Sequence, residues 1–514
     1  MFDATPLLRF YARRRYAELD AAVPAATQET QLLQLVRRAE GTAFGGRHGF
    51  SRVSSVSRFQ QAVPLRSYEE FRRDYWQKSF PRLRNCTWPG TIRYFARTAG
   101  TTTGRTKFIP VSDEMVAANR RAVLDLLAHH LRNRPESHVL AGKNFMLGGS
   151  TDLVEEASGV HSGDLSGIAA AEVPWWARPW FFPPKAAALI ADWQAKIDTL
   201  ARLSLVEDIR TISDGPPWLL IFFEKLAALR PTVEPRIVNF YPKLELLVHG
   251  GVNFAPYRQR FAELLDGSRA ELREVYPASE GFIAIADRGP DEGLRLLLDN
   301  GLFFEFVPVE EIARSNPTRH WVADAVPKVN YALVLTSNAG LWSYVLGDTV
   351  TLIDRNPPRI RITGRTSYTL SAFGEHLIDA EIEEAVARAA AAIGLTINDY
   401  VVGPVFPLSA NDRGRHVCVV EFAERLPSPD ALASFARTLD RMLMATNEDY
   451  KAHRADGFGL QGPEARAVPA GSFAAWMASR GMLGGQHKVP RIVNDPELLR
   501  RLLDFMRRRA ASER

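Results

Sequence analysis

Thr98-Ala-Gly-Thr-Thr-Thr-Gly-Arg-Thr-Lys107 packs five hydroxyl side chains, two glycines and two cations into ten residues, between the apolar pairs Tyr94-Phe95 and Phe108-Ile109. That composition suits a polyphosphate: glycine exposes backbone N–H groups, threonine hydroxyls donate, and the lysine neutralises charge. The spacing is not that of a P-loop, which needs four residues between its glycines and a Gly-Lys-Ser/Thr ending. Here three residues separate Gly100 from Gly104, and the lysine falls three later. Alone, the stretch could equally be a polar turn between two strands. The residues beyond Lys107 give it a frame: Ser112-Asp113-Glu114 supply a cap and an acidic first turn to a helix striped by Val116, Val123, Leu127 and Leu131. The order is strand, loop, helix.

A chain of 514 residues is too long for one ordinary core, so a large domain and a smaller one are expected. With 46% hydrophobic and 24% charged residues and no repeat, the composition is that of a globular protein. The net charge is +5, but 59 acidic residues accompany 64 basic ones and no block forms a nucleic-acid surface. Solvated faces are the better reading for most of these charges, although two local clusters in helix-like segments near the termini, Arg13-Arg14-Arg15 and Arg507-Arg508-Arg509, could touch an anionic partner. Charge interrupts the N-terminal stretch before any apolar run long enough for a secretory signal, and no segment approaches a bilayer span, so a cytoplasmic protein without membrane contact is expected. Cys86 and Cys418 stand far apart and read as free buried thiols. His129-His130 are adjacent and do not form a zinc pair.

Residues 7–40 have helical spacing up to Gly41, and Tyr68–Trp76 reads as a short aromatic helix. Phe145–Ser150 reads as a buried strand entering a turn, and 160–240 as mostly helical. Trp175, Trp176, Trp180 and Phe181, among prolines, could line an apolar pocket or form core. From 244 to 353 short apolar or alternating runs predict strands at 244–248, 272–275, 282–286, 294–298, 302–307, 331–336 and 350–353. Arg359–Arg365 continues the pattern. Beyond it, Asp379 is expected to cap a helix with Ile382, Val386, Ala389 and Ile393 on one side, closed by Gly394. Strands at 400–403 and 416–422 and a helix at 430–447 then make a small α+β domain. The expected class is α/β, with an N-terminal domain over 1–365 and a C-terminal one over 366–514.

Three short motifs hold groups that a phosphate loop would need. Tyr276-Pro-Ala-Ser-Glu-Gly281 places Glu280 where a strand ends in a turn, the usual ligand edge of open α/β sheets and a fitting oxygen donor for magnesium. Trp342-Ser-Tyr-Val-Leu-Gly-Asp348 puts a carboxylate after a glycine turn, suited to two ribose hydroxyls. Gly364-Arg365 offers a guanidinium at the domain joint. Each could also be ordinary turn chemistry: a cap, a turn residue, a surface ion pair.

In content and order the motifs resemble the adenylate-forming superfamily of acyl-CoA synthetases, luciferases and peptide-synthetase adenylation domains. More closely, the chain resembles the Gretchen-Hagen-three family of acyl-acid amido synthetases, including its bacterial members. The resemblance runs through Thr98–Pro110, Gly250–Tyr257, Tyr276–Gly281, Phe303–Pro308, Tyr331–Asp348, Asn447–Tyr450 and Gly485-Gln-His-Lys-Val-Pro-Arg491. It implies ATP and Mg2+, a small carboxylic acid activated as its acyl adenylate, and transfer to an amine such as an amino acid. It also implies roles. Thr98 belongs to the loop in which Thr101, Thr102, Thr103 and Lys107 hold the β- and γ-phosphates. Tyr276, Ala278 and Ser279 lie near adenine and α-phosphate, Glu280 ligates magnesium, Asp348 holds the ribose and Arg365 reaches the nucleotide. Lys488 stabilises charge during adenylation, brought in by a small mobile domain turning about Thr366 or Ser367. Plant members show a serine-led loop where this chain has Thr98-Ala99 and Arg105, and the joint Gly364-Arg365-Thr366 is nearer the wider superfamily. A thioester synthetase using CoA or a carrier protein is the alternative. A nucleotide-binding scaffold without chemistry is the alternative of another class, disfavoured by the intact Lys107, Glu280, Asp348 and Lys488.

Overall fold

The computed structural model describes residues 2–98, 107–148, 153–188, 190, 193–251, 254, 257–289, 292–365, 370, 377–406, 414–447, 450–451, 454, 460–480, 482, 489–493 and 495–512. Packing divides the chain into two units, Met1–Val252 with Arg260–Ile362, and Asn253–Gln259 with Thr363–Arg514.

In the first unit, residues 7–40 form helices α1 (Thr5–Ala21) and α2 (Pro24–Ala39), each with proline in its first turn, where a missing N–H leaves no bond unmade. Strands β1 (Tyr94–Thr98) and β2 (Lys107–Val111) flank the threonine loop and pair antiparallel, with Thr98 opposite Lys107. Residues 99–106, with Thr101, Thr102 and Thr103, lie outside the described residues. Helix α3 (Asp113–Asn133) starts as expected, the Ser112 hydroxyl accepting the N–H of Met115 at 3.0 Å. Its buried side differs from the expected stripe. Val116, Leu127 and Leu131 are buried, but Val123 is 46% exposed. Met115, Ala118, Ala122 and Leu126 form the inner face, and the last turns also bury Asp125, His129 and His130, polar groups that apolar spacing does not register.

Strands β3 (Lys143–Met146), β4 (Val154–Ala157), β5 (Val160–Gly163) and β6 (Phe181–Phe182) precede helix α4 (Trp193–Ser204). Strand β7 (Ile209–Asp214) and helix α5 (Pro216–Leu229) come next. The stretch read as mostly helical therefore contains strands, and β7 is a core strand whose six residues lie between longer helices. Trp175 and Trp176 are 78% and 61% exposed, so they are not core. After β8 (Leu246–Gly250) and helix α6 (Arg258–Leu265) come the expected strands β9 (Glu271–Ala278), β10 (Gly281–Ile285), β11 (Leu294–Leu296) and β12 (Leu302–Pro308). The unit closes with β13 (His320–Trp321), β14 (Asn330–Ser337), β15 (Tyr344–Arg355) and β16 (Pro358–Arg365).

Twelve strands join in the order β13-β12-β14-β15-β16-β11-β10-β9-β8-β7-β3-β6, and a four-stranded sheet runs β2-β1-β5-β4. The run β6-β3-β7-β8-β9 is parallel, so Met146, Asp214, Gly250 and Ala278 end at one edge. Alternation sorts the faces. Val248, Val275 and Ile285 pack with Leu8, Ala122 and Leu126 of α1 and α3. Tyr276, Ala284 and Phe303 point the other way, into a larger cluster with Phe95 and Ile109 of the loop-flanking strands and with Trp342.

The second unit pairs β17 (Ile397–Val405), β18 (Arg415–Phe422) and β19 (Glu464–Val468) in that order. Tyr400, Val402, Cys418 and Val420 face helices α7 (Asp379–Ala392) and α8 (Pro429–Thr446), and Val401, Val417 and Val419 face α9 (Ser472–Ser479) and α10 (Pro496–Ser512). This is the expected small α+β part beside a large mixed one. Asp379 is the first residue inside α7 rather than its cap. Ile378 takes that position, its N–H satisfied by Glu381 at 3.1 Å, and Gly394 follows the helix in the left-handed conformation (φ +66°). Cys86 and Cys418 are free and buried. Among the described residues no helix is long and apolar enough to cross a membrane.

Candidate active site

The carboxyl edge of the parallel strands carries the first cluster. β9 ends in Tyr276-Pro277-Ala278 and β10 begins at Gly281, which pairs with Ala278, so Ser279 and Glu280 form a two-residue turn. Gly281 has φ +147°, and a side-chain Cβ there would lie 2.9 Å from Leu302 Cδ2, so both backbone and space call for glycine. Ser279 and Glu280 are thereby held largely buried, at 9% and 7% exposure.

Asp348 reaches the same region through an irregularity of β15. Val334 pairs with Val345 and Ala332 with Thr349, so Leu346, Gly347 and Asp348 together oppose Leu333, and Gly347 has φ +92°. Such a bulge re-aims a side chain out of the ladder. The Tyr276 hydroxyl donates to Asp348 Oδ2. Two motifs read separately in the sequence thus meet through one bond between the β9 end and the β15 bulge, a contact that the spacing of neither motif could reveal.

The loop base forms the third part. Lys107, opposite Thr98, places its Nζ 5.6 Å from the centre of the Tyr68 ring, and the Tyr68 hydroxyl accepts the N–H of Phe108 at 2.9 Å. Tyr68 was no candidate from sequence. Its ring lends a cation–π face to the lysine while its hydroxyl holds the strand start. The flanks of the loop and Tyr276 belong to one apolar cluster. Of the other candidates, Ala278 lies on the Glu280 turn, Arg365 is the last residue of β16, where the backbone is described, and Lys488 falls outside the described residues with Thr101, Thr102 and Thr103.

Glu280, a carboxylate 7% exposed at the turn, is an oxygen donor of the kind a magnesium ion takes. That ion commonly takes one or two carboxylates and completes its shell with phosphate oxygens and water.

Three domain descriptions of one family match in order: the GH3 family N-terminal domain over residues 14–214, the central domain over 295–365 and the C-terminal domain over 380–497. The chain belongs to the GH3 family. Among curated GH3 proteins, the probable indole-3-acetic acid-amido synthetase GH3.9 of Oryza sativa subsp. japonica is 30% identical over 265 residues, which is 48% of this chain and 58% of that one. Indole-3-acetic acid-amido synthetase GH3.8 of Oryza sativa subsp. indica is 30% identical over 260 residues, 47% and 42% of the two chains. The chain thus spans about half the length of the curated relatives it matches. In fold it is similar to the AtGH3.15 acyl acid amido synthetase in complex with 2,4-DB, with a TM-score of 0.80 and 17% identity over 98% of this chain and 97% of that one. It is also similar to 2-hydroxyisobutyryl-CoA ligase in the postadenylation state, with a TM-score of 0.60 and 17% identity over 94% and 93%. The GH3 matches cover the loop, the β15 bulge and most of the second unit, and the β9 turn lies in the gap between the N-terminal and central domains.

Proposed function

We propose that this GH3 protein is an ATP-dependent acid–amine ligase working in the cytoplasm. In the first half-reaction a substrate carboxylate oxygen attacks the α-phosphorus of ATP, the bond to the bridging oxygen breaks, and acyl adenylate and pyrophosphate result. In the second, an amine attacks the acyl carbon, loses a proton and expels AMP, leaving an amide. A carboxylate is a poor nucleophile toward a polyanion, so catalysis here is neutralisation and positioning.

Thr98 and Lys107 anchor the loop whose Thr101, Thr102 and Thr103 take the β- and γ-phosphates. Tyr276, Ala278 and Ser279 border the adenine and α-phosphate, Asp348 accepts the ribose hydroxyls, and Arg365 contacts the nucleotide. Glu280 would hold Mg2+, which supplies charge neutralisation across the phosphates. Lys488, in the second unit, supplies positive charge for adenylation. The observation that carries this reading is the bond joining Tyr276 to Asp348, which ties the β9 turn to the β15 bulge in a chain matched by all three GH3 domains.

The test is pyrophosphate release with ATP and Mg2+ across carboxylic acids, beginning with the indole-3-acetic acid of the rice relatives' names, followed by mass spectrometry of products formed with amino acids and with CoA. An amide supports the proposal. A thioester without amide replaces it with a thioester synthetase, and no pyrophosphate with any acid leaves a nucleotide-binding scaffold. Lys488→Ala is expected to abolish pyrophosphate release while sparing transfer from a synthetic acyl adenylate, and an equal loss in both assays removes the role given to that lysine.

A further inference from the structure

Helix α1 carries apolar residues on two opposite faces. Thr5, Leu8, Ala12 and Arg15 are buried. Leu8 packs with Ala122 and Leu126 of α3, Arg15 lies 2.8 Å from Asp125 and 2.7 Å from Asp299, and the Tyr11 hydroxyl donates to Asp125 at 2.6 Å. These contacts fix the helix. The helical repeat sets Leu7, Phe10, Arg14, Ala17 and Ala21 on the outward side, where Leu7 and Phe10 are 69% and 78% exposed. Two large apolar side chains thus stand on a face that the fold of the chain does not use.

The same face ends in a hollow. Ala21, Ala22, Ala26, Thr27 and Thr30 line a groove of about 450 Å3 where α1 meets α2, together with Val23, which is 63% exposed. Large side chains therefore occupy one end of the face and small ones the other. The charges divide likewise. Of the cluster Arg13-Arg14-Arg15, only Arg15 turns inward, while Arg13 and Arg14 are exposed, and Glu18 and Asp20 are exposed one to two turns further on. Glu18 lies 3.1 Å from Arg14 and Asp20 3.1 Å from Arg132, both pairs open to water and so contributing little by themselves.

We propose that a second copy of the chain covers this face, with the two α1 helices antiparallel about a two-fold axis. In such a pair every contact occurs twice. Turning one α1 end for end at the level of Tyr16 sets Phe10 over the groove at Ala22 and Val23 of the other copy and Leu7 beside its Ala26. The same register brings Arg13 to Asp20 and Arg14 to Glu18 across the axis, so size and charge are matched together. A parallel pair would set arginine against arginine, which costs energy. An anionic membrane would meet Glu18 and Asp20 on the same face and leave the groove unfilled. One helix face with its groove is small beside the roughly 800 Å2 per partner of a standard interface, so a reversible dimer is expected.

Sedimentation velocity of the full chain from about 1 to 100 µM tests this, a range that brackets micromolar self-association. The unsubstituted chain should pass from monomer to dimer as concentration rises. Phe10→Ser should raise the dimer Kd by about tenfold or more, as when an interface anchor is removed. Val326→Ser, at an apolar position outside this face that is 45% exposed, should leave it unchanged. A chain carrying Arg13→Glu with Arg14→Glu, and another carrying Glu18→Lys with Asp20→Lys, should each stay monomeric, because like charges then oppose one another. Mixed in equal amounts, the two should pair, since each supplies the charge that the other lacks. Folded chains alone can form that heterodimer, so its appearance also rules out misfolding as the cause of dissociation. A chain monomeric throughout overturns the proposal, and binding to vesicles of anionic phospholipid that Phe10→Ser abolishes would then assign the face to a membrane. A dimer indifferent to Phe10→Ser, or charge variants that fail to pair on mixing, overturns it as well.

Discussion

Tyr276 and Asp348 make the case at the scale of single residues. Each stood in a motif legible from sequence, a strand-ending carboxylate turn and a glycine–aspartate turn, but the bond between them depends on a bulge of three residues against one that no local pattern encodes. The same limit hid Tyr68, whose service to Lys107 and Phe108 arises from packing between separate segments. Asp348→Ala is expected to weaken ATP binding by about 1.5–3 kcal/mol, the range for hydrogen bonds to a charged group. Tyr276→Phe leaves the carboxylate in place and removes only the bond that orients it, so it should weaken ATP binding less than Asp348→Ala does. Titration calorimetry with ATP and Mg2+ measures both, and an affinity unchanged in Asp348→Ala removes the ribose role.

Elements were legible where apolar spacing alone decided them and misread where polar burial did. The start of α3 followed from Ser112 and its acidic neighbours, whereas its inner face was displaced because the C-terminal turns bury ionic partners. His130 shows why. Its Nδ1 lies 2.8 Å from Glu271 at the start of β9, and its Nε2 lies 3.0 Å from Ser137 Oγ, which donates in turn to Glu245 beside β8. Burial alone would lower the His130 pKa, but the carboxylates of Glu245, 3.9 Å from Nε2, and Glu271, bonded to Nδ1, outweigh it and hold the group above its ordinary 6.5. Burial would likewise raise both glutamates, yet the neighbouring His130, joined by hydrogen bonds from Ser137 and Arg210 at Glu245 and from Arg273 at Glu271, holds both at about 2.

The signs set a window. A raised histidine stabilises fully below its unfolded value of 6.5 and loses that contribution as pH climbs through the folded value, while depressed carboxylates stabilise above 4.5 and lose the contribution as pH falls toward 2. The clasp between α3 and the starts of β8 and β9 is therefore strongest between these bounds. His130→Leu should destabilise by about 3 kcal/mol at pH 6, as when one member of a buried ion pair is removed. The deficit should shrink in alkaline buffer, where His130 of the unsubstituted protein is neutral. Urea unfolding at several pH values reads this, and a deficit constant with pH would mean that His130 acts by shape rather than charge.

Over the whole molecule, the two-part plan and the motif order were legible because domain cores and strand runs are local in sequence. The passage of Asn253–Gln259 into the second unit was not, since the segment is continuous in the chain with β8 and α6 and nothing in its residue types marks where it packs. That assignment yields a sharp expectation. Tyr257 is 2% exposed and its hydroxyl meets Arg491, which is bonded through its backbone to Val402 of β17. Tyr257→Ala removes the ring and the hydroxyl together, a change of the kind that costs about 3–5 kcal/mol for a large buried aromatic. Stability is distributed in cooperative pieces, so the loss should appear where the ring packs rather than where it lies in sequence. Hydrogen exchange followed by mass spectrometry should therefore show protection lost across β17 and residues 489–493, with β8 and β9 retaining theirs. The opposite pattern, with β8 and β9 opening while β17 holds, would return the segment to the first unit and leave Arg491 without the partner that its placement requires.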